Sequence, residues 1–205
     1  MAAHLDDGIM VDQARSFVRE EIAKTVKALK SLHDDEVALA ALDRIAELSV
    51  EAIRRGNKVM FAGNGGSAAD AQHLAAELVG KLAYDRPGLP AISLTTDTSI
   101  LTAVGNDYGY DEVFRRQIEA LGVAGDVLVA ISTSGRSRSV LRALEVARAK
   151  RIATVGMTGQ SGGDMLGLCD VCLRIPSTDT QKIQEAHIVL GHIFCCIIER
   201  AMFPR

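Results

Sequence analysis

The segment AGNGGSAADAQHLAAEL, Ala62–Leu78, holds a histidine and a glutamate four residues apart, His73 and Glu77. On a helix this spacing sets both on one face, roughly 5–6 Å apart at Cβ. A second helical stretch, Thr180–Met202, carries Gln184, His187 and His192. At about 100° per residue, Gln184 and His192 lie about 80° apart, with His187 about 60° to the other side of Gln184. Periodicity therefore lets either histidine join Gln184. Polar groups on a largely apolar helix need partners if buried. A His/Glu pair facing a Gln/His pair offers the nitrogen and oxygen donors that suit a divalent transition metal. Satisfied core polar residues would leave the same pattern.

Two further segments could meet a ligand. Asn64, Gly65 and Gly66 form a turn that lets main-chain N–H groups point at an anion, and a plain tight turn would use the same glycines. It is neither a P-loop nor a GxGxxG fingerprint. In ISTSGRSRS, Ile131–Ser139, the hydroxyls of Ser132, Thr133, Ser134 and Ser137 gather where a strand gives way to a helix. One N-cap needs one hydroxyl. Four hydroxyls beside helix N-terminal amides suit a phosphate monoester. Asn106 and Asp107 read as a Gly-Asn-Asp turn, whose polar groups could equally contact sugar hydroxyls.

These residues need a scaffold. Gln13–Leu32 and Val37–Arg55 have helical periodicity, so a helical pair over residues 13–56 comes first. The runs KVMFAG, PAISL, DVLVAIS, RIATVGM and DVCLRI then read as five buried parallel strands bounded by Gly, Pro, Asp or Ser. Helical stretches separate them at Ser67–Tyr84, Ser99–Gly105, Tyr110–Leu121 and Ser137–Lys150, with a short piece near Asp164–Leu168. Five strands alternating with helices predict a doubly wound α/β sheet, whose ligands collect at the carboxyl ends of the strands. The three segments above all fall there. Met1–Asp12 has little pattern and is expected to be partly disordered.

A chain of 205 residues suits one domain with a full core. A formal net charge of −3 gives no nucleic-acid footprint. No apolar run is long enough for a membrane span, and the N-terminus lacks the layout of a signal peptide, so the cytoplasm is the expected compartment. Cys169 and Cys172 form a CxxC within an apparent strand start, and Cys195 and Cys196 sit in the apolar run IFCCII. Buried free thiols are the expectation, ahead of a redox or zinc site.

Taken together, AGNGGSAADAQHLAAEL, TTDTSILTAVGNDYGY, STSGRS and KIQEAHIVLGHI closely resemble the phosphoheptose isomerases of the sugar isomerase (SIS) superfamily, over about Gln13–Phe203. The resemblance implies a three-layer SIS sandwich and a homotetramer with active sites between subunits. It implies a zinc ion on His73, Glu77, Gln184 and His192, with His192 rather than His187 as the ligand. Ser132, Thr133, Ser134 and Ser137 would hold the sugar phosphate, and Asn64, Gly65, Gly66, Asn106 and Asp107 would line the sugar chain together with Glu77 and Gln184. The implied reaction converts sedoheptulose 7-phosphate to D-glycero-D-manno-heptose 7-phosphate through an enediol, with Glu77 and His192 as base and acid, toward heptose for lipopolysaccharide or another surface polysaccharide. Two positions differ from the family's common pattern: Arg138-Ser139 replace a Pro-Asn pair, and Lys81 stands where an Arg is often found. DnaA-binding SIS proteins share the fold without the full His73/Glu77/Gln184/His192 set, and isomerases or sensors of other phosphosugars share the phosphate chemistry.

Overall fold

The computed structural model describes residues 7–205. Five parallel strands form one sheet in the order β2-β1-β3-β4-β5. They are β1 (Val59–Gly63), β2 (Ala91–Ser93), β3 (Val127–Ile131), β4 (Ala153–Thr158) and β5 (Val171–Arg174). β1 and β3 are buried along their whole length. That is why their sequences are unbroken apolar runs rather than alternating ones.

Helices cover both faces. On one face lie α2 (Glu36–Arg54), α3 (Gly66–Val79) and α7 (Thr180–Met202), packed on Val59, Phe61, Val127, Val129 and Val155 of the sheet. On the other lie α5 (Val113–Leu121) and α6 (Arg138–Ala149), against Met60, Ala62, Leu128 and Ala130. α4 (Thr98–Tyr108) leads into α5 through a short 3-10 turn. The result is the expected three-layer α/β sandwich with N-terminal helices.

Helix ends follow local chemistry. The Asp35 carboxylate accepts from the N–H groups of Val37 and Ala38 and starts α2. Asp97 and Asp179 do the same for α4 and α7. Four boundaries differ from those read in the sequence. α1 (Asp7–His33) begins earlier than Gln13, so helix replaces the disorder expected over part of Met1–Asp12; the first six residues of that expectation lie outside the described residues. α3 stops at Val79 rather than Tyr84, because Gly80 follows and the Arg86 guanidinium donates to the terminal carbonyls of Glu77, Leu78 and Gly80. Residues 110–112 form a 3-10 turn before α5 instead of its first turn. α4 runs past Gly105 to Tyr108 and ends at Gly109, whose φ of 90° a side chain would strain. Asn106 and Asp107 are therefore helical and exposed, not a turn.

α1 departs from expectation in another way. Its apolar stripe, Phe17, Val18, Ile22 and Val26, is more than half exposed. Among the described side chains of α1, those buried lie at its end, Ala28 and Leu32. α1 is tied to α7 by Lys182, whose ammonium meets Glu21 and Glu185, and by the Thr25 hydroxyl, which donates to Glu185 at 2.6 Å. Among the described residues no helix is long and apolar enough to cross a membrane.

Candidate active site

α3 and α7 cross closely. A Cβ on Gly191 of α7 would run into the Leu74 side chain of α3 at 2.6 Å, so glycine sets the spacing. Gly191 precedes His192 and Leu74 follows His73, so this contact brings the two histidines together. His192 Nε2 lies 3.1 Å from His73 Nε2, and the rings stack edge-on at 4.9 Å. His73 Nε2 is also 3.0 Å from Glu77 Oε1. One ligating atom from each of the three residues lies within 4.8 Å of the others. His73 keeps nearly half of its side chain exposed and Glu77 about a fifth, so the trio opens to solvent.

The donor set fits a metal. A single proton on His73 Nε2 cannot serve the carboxylate and the facing imidazole nitrogen with two linear hydrogen bonds. A cation seated among two imidazole nitrogens and a carboxylate oxygen would satisfy all three, and this N₂O set is typical of zinc. Gln184 starts about 12 Å before His192 along α7. Its amide packs over Gly66, where an added Cβ would meet Nε2 at 2.6 Å and Oε1 at 3.1 Å. Three of the four expected ligands thus converge as side chains, and the fourth stands at the glycine turn.

His187 lies elsewhere. It is 1 % exposed, and its Nε2 donates to the Thr158 carbonyl at 3.2 Å. Its Nδ1 is buried without a partner among the described residues. Burial pushes its pKa down to about 4, only partly offset by the bond to Thr158, so it is a neutral core histidine.

Gly65, with φ 57° and ψ −122°, turns the chain from β1 into α3 in a conformation open to glycine. The Asn64 amide donates to Ser139 Oγ at 3.0 Å, and its carbonyl oxygen accepts from the Tyr110 hydroxyl at 2.9 Å. This ties the glycine turn to the serine loop after β3. There Ser132 Oγ lies 3.1 Å from Ser137 Oγ and 3.5 Å from Ser134 Oγ. Ser137 occupies the N-cap position of α6, yet its hydroxyl makes no capping bond. The single-cap explanation of the cluster therefore fails for Ser137, whose hydroxyl turns to Ser132 instead. Ser134 and Thr133 border a cleft of about 180 Å³ with Arg136, Gln160 and Thr180. Arg138 pairs with Asp111 on the surface. The Asn106 amide donates to Asp107 Oδ1 at 2.8 Å on exposed helix.

Sequence reasoning missed several residues here. Asp70 stands one helical turn before His73, and its Oδ2 is buried without a partner among the described residues. Burial raises its pKa, with His73 opposing. The i, i+3, i+7 series Asp70, His73, Glu77 was a readable signal. Tyr110 and Ser139, the partners of Asn64, offered none.

The comparisons fit this geometry. The SIS domain family matches residues 20–159. The phosphoheptose isomerase of Burkholderia pseudomallei (strain 1710b) is 51% identical over 196 residues, covering 96% of this chain and 100% of the relative. That of Aneurinibacillus thermoaerophilus is 49% identical, covering 91% of this chain and 94% of the relative. The structure of phosphoheptose isomerase GmhA from Neisseria gonorrhoeae superposes with a TM-score of 0.85 at 41% identity, covering 91% of this chain and 98% of that one. With its α/β sandwich, its glycine turn and its His73, Glu77 and His192 brought to one point, the chain belongs to the SIS domain family and, within it, to the phosphoheptose isomerases.

Proposed function

We propose that this isomerase converts sedoheptulose 7-phosphate to D-glycero-D-manno-heptose 7-phosphate, with Glu77 and His192 moving the protons. The observation that carries the reading is the convergence of His73, Glu77 and His192 in a chain about half identical to proteins named phosphoheptose isomerase. The reaction needs a proton taken from one carbon and returned to its neighbour, with the oxygens protonated in turn. Glu77 is the base that takes the carbon-bound proton, exchanges it with solvent and delivers a proton to the adjacent carbon of the enediol. His192 is the acid that protonates the ketose carbonyl oxygen, and it regains a proton from the hydroxyl on the neighbouring carbon as that becomes the aldehyde. Ser132, Thr133, Ser134 and Ser137 grip the phosphate with neutral donors. Asn64, Gly65, Gly66 and Gln184 line the sugar chain, and Asn106 and Asp107 join them at the exposed rim.

His73, Glu77, Gln184 and His192 would hold one zinc ion per subunit, which when bound supplies Lewis-acid polarisation of the ketose oxygens. Glu77 and His192 then serve as both ligand and proton carrier, so a change at either would disturb metal binding and proton transfer together. We read the exposed stripe Phe17, Val18, Ile22 and Val26 as a face that a second copy covers in a homotetramer with active sites between subunits. The reaction would take place in the cytoplasm and supply heptose for lipopolysaccharide or another surface polysaccharide.

The test is NMR of the purified protein with sedoheptulose 7-phosphate in deuterated water. The expected result is the aldose phosphate carrying deuterium at the carbon that gained a proton. Turnover of another ketose phosphate, with none of the heptulose, would reject this substrate.

A further inference from the structure

The sulfurs of Cys169 and Cys172 converge on one point, the bare Cα of Gly156 in β4. Gly156 pairs with Cys172 across the β4–β5 ladder. A Cβ on Gly156 would come within 2.8 Å of Cys169 Sγ, 3.2 Å of Cys172 Sγ and 3.1 Å of the Met165 methyl. The missing side chain is thus the space that the two thiols share. The Thr158 hydroxyl lies 3.6 Å from Cys172 Sγ. Both cysteines are only partly buried, contrary to the sequence expectation, whereas Cys195 is fully buried. Cys172 also borders a cleft of about 300 Å³ beside the edge strand, with Asp35, Gln160 and Arg174.

The two thiols are not equivalent. The neighbouring Cys169 thiol holds the Cys172 thiol down to about 7 against its burial, with Thr158 and Arg174 assisting. Cys172 in turn, with burial, pushes the Cys169 thiol up. Cys172 is the nucleophile and Cys169 keeps its proton, a division of labour suited to a CxxC pair.

We propose that Cys169 and Cys172 form a reversible oxidation site that takes a small peroxide and closes to an intramolecular disulfide. The Cys172 thiolate attacks one peroxide oxygen and the O–O bond breaks. The leaving hydroxide takes up the proton that Cys172 had released and departs as water, leaving a sulfenic acid. Cys169 Sγ then attacks the Cys172 sulfur, and the S–O bond breaks. The hydroxyl leaves as a second water with the Cys169 proton. Two thiols lose two electrons in total, and one peroxide becomes two waters. An external dithiol reverses the step by exchange. Cys169 packs on the α6 side of the sheet, opposite the face that carries α3 and α7, so the modification is read on the sulfurs and not through isomerase activity.

The experiment treats the reduced full-length chain with hydrogen peroxide, then alkylates, digests with trypsin and weighs the peptide Ile152–Arg174, which holds both cysteines. The expected peptide is lighter by two hydrogens, unalkylated, and restored by dithiothreitol. Cys196, the other partly buried thiol, stays alkylatable at the same dose and serves as the internal control. Cys169→Ser should stop at the sulfenic acid, captured by dimedone on Cys172, and Gly156→Ala should slow closure by filling the shared space. The proposal is overturned if both cysteines remain alkylatable when Cys196 has reacted, or if Cys172 of the native chain goes on to sulfinic acid while Cys169 stays free.

Discussion

Helix α7 meets α3 and the loop that follows it through two sets of polar groups, and the two sets are built in opposite ways. Near the C-terminal end of α7, Glu199 accepts from the N–H groups of Leu82 and Ala83 and from Arg86 Nε at 3.0 Å, all in the loop after α3. Arg86 and Glu199 side chains are 2 % and 0 % exposed. The remaining N–H groups of Arg86 go to carbonyls of Glu77, Leu78, Gly80 and Pro87. Burial works against the charge on Glu199, but the bonds from Leu82, Ala83 and Arg86 outweigh it and hold the carboxyl below its usual range. Two turns earlier on α7, His192, His73 and Glu77 face one another half open to solvent, with more acceptors than protons. A structural ion pair saturates its own donors. A site built for a ligand leaves some of them to the ligand.

The contrast should show when each half is broken. Arg86→Ala leaves the Glu199 charge buried and unpaired, which should cost about 3–5 kcal/mol of stability. His73→Ala removes a half-exposed side chain and should change metal-free stability by only about 0.5 kcal/mol. Zinc content should follow the reverse order, near one ion per chain in a still-folded fraction of Arg86→Ala and far less in His73→Ala. Urea unfolding of the metal-free proteins with elemental analysis of the loaded ones checks both, and equal destabilisation by the two changes would erase the distinction.

His187 sharpens the same comparison through pH. Its folded pKa of about 4 lies below the ordinary histidine value of about 6.5. The unfolded chain therefore binds a proton that the folded one refuses between these values. Full stability is present above pH 6.5 and falls by roughly 3 kcal/mol as pH drops to about 4. Midpoints of urea unfolding across this window should show that slope in the wild type, and His187→Gln should flatten it.

The serine loop gives the smallest expected effect. Ser134→Ala removes one hydrogen bond to a charged phosphate, which should raise KM by the equivalent of about 1.5–3 kcal/mol while leaving the assembly intact. Steady-state kinetics with sedoheptulose 7-phosphate checks it; an unchanged KM would make this hydroxyl a turn-former only, in keeping with the bond it accepts from the Arg136 N–H.

Much of the scaffold was legible because buried parallel strands write themselves as short Val and Ile runs, and all five lie where those runs predict. Helix ends were less legible. α4 passes through Gly105 because a single interior glycine costs only about 1 kcal/mol, and the stop comes at Gly109. α3 ends early partly through Arg86, a loop residue whose reach back to Leu78 has no local signature. His73 and Glu77 were visible as a helical pair. His192 and His187 could not be ranked by periodicity, because the choice depends on which face of α7 meets α3, and that is fixed by the Gly191–Leu74 contact. The Arg86–Glu199 pair was invisible for the same reason: its halves lie far apart in sequence, and Glu199 beside Arg200 reads as an ordinary charged pair at a helix end.

The most direct test sets the two histidines of α7 against each other. Turnover of sedoheptulose 7-phosphate and deuterium incorporation from solvent are measured for His192→Gln and His187→Gln, with circular dichroism and zinc content as controls. His192→Gln should lose at least the roughly 10²–10⁴-fold that follows removal of a general acid or base, and its deuterium incorporation should fall with it. His187→Gln, folded, should keep most of both. A folded but inactive His187→Gln beside an active His192→Gln would contradict the account.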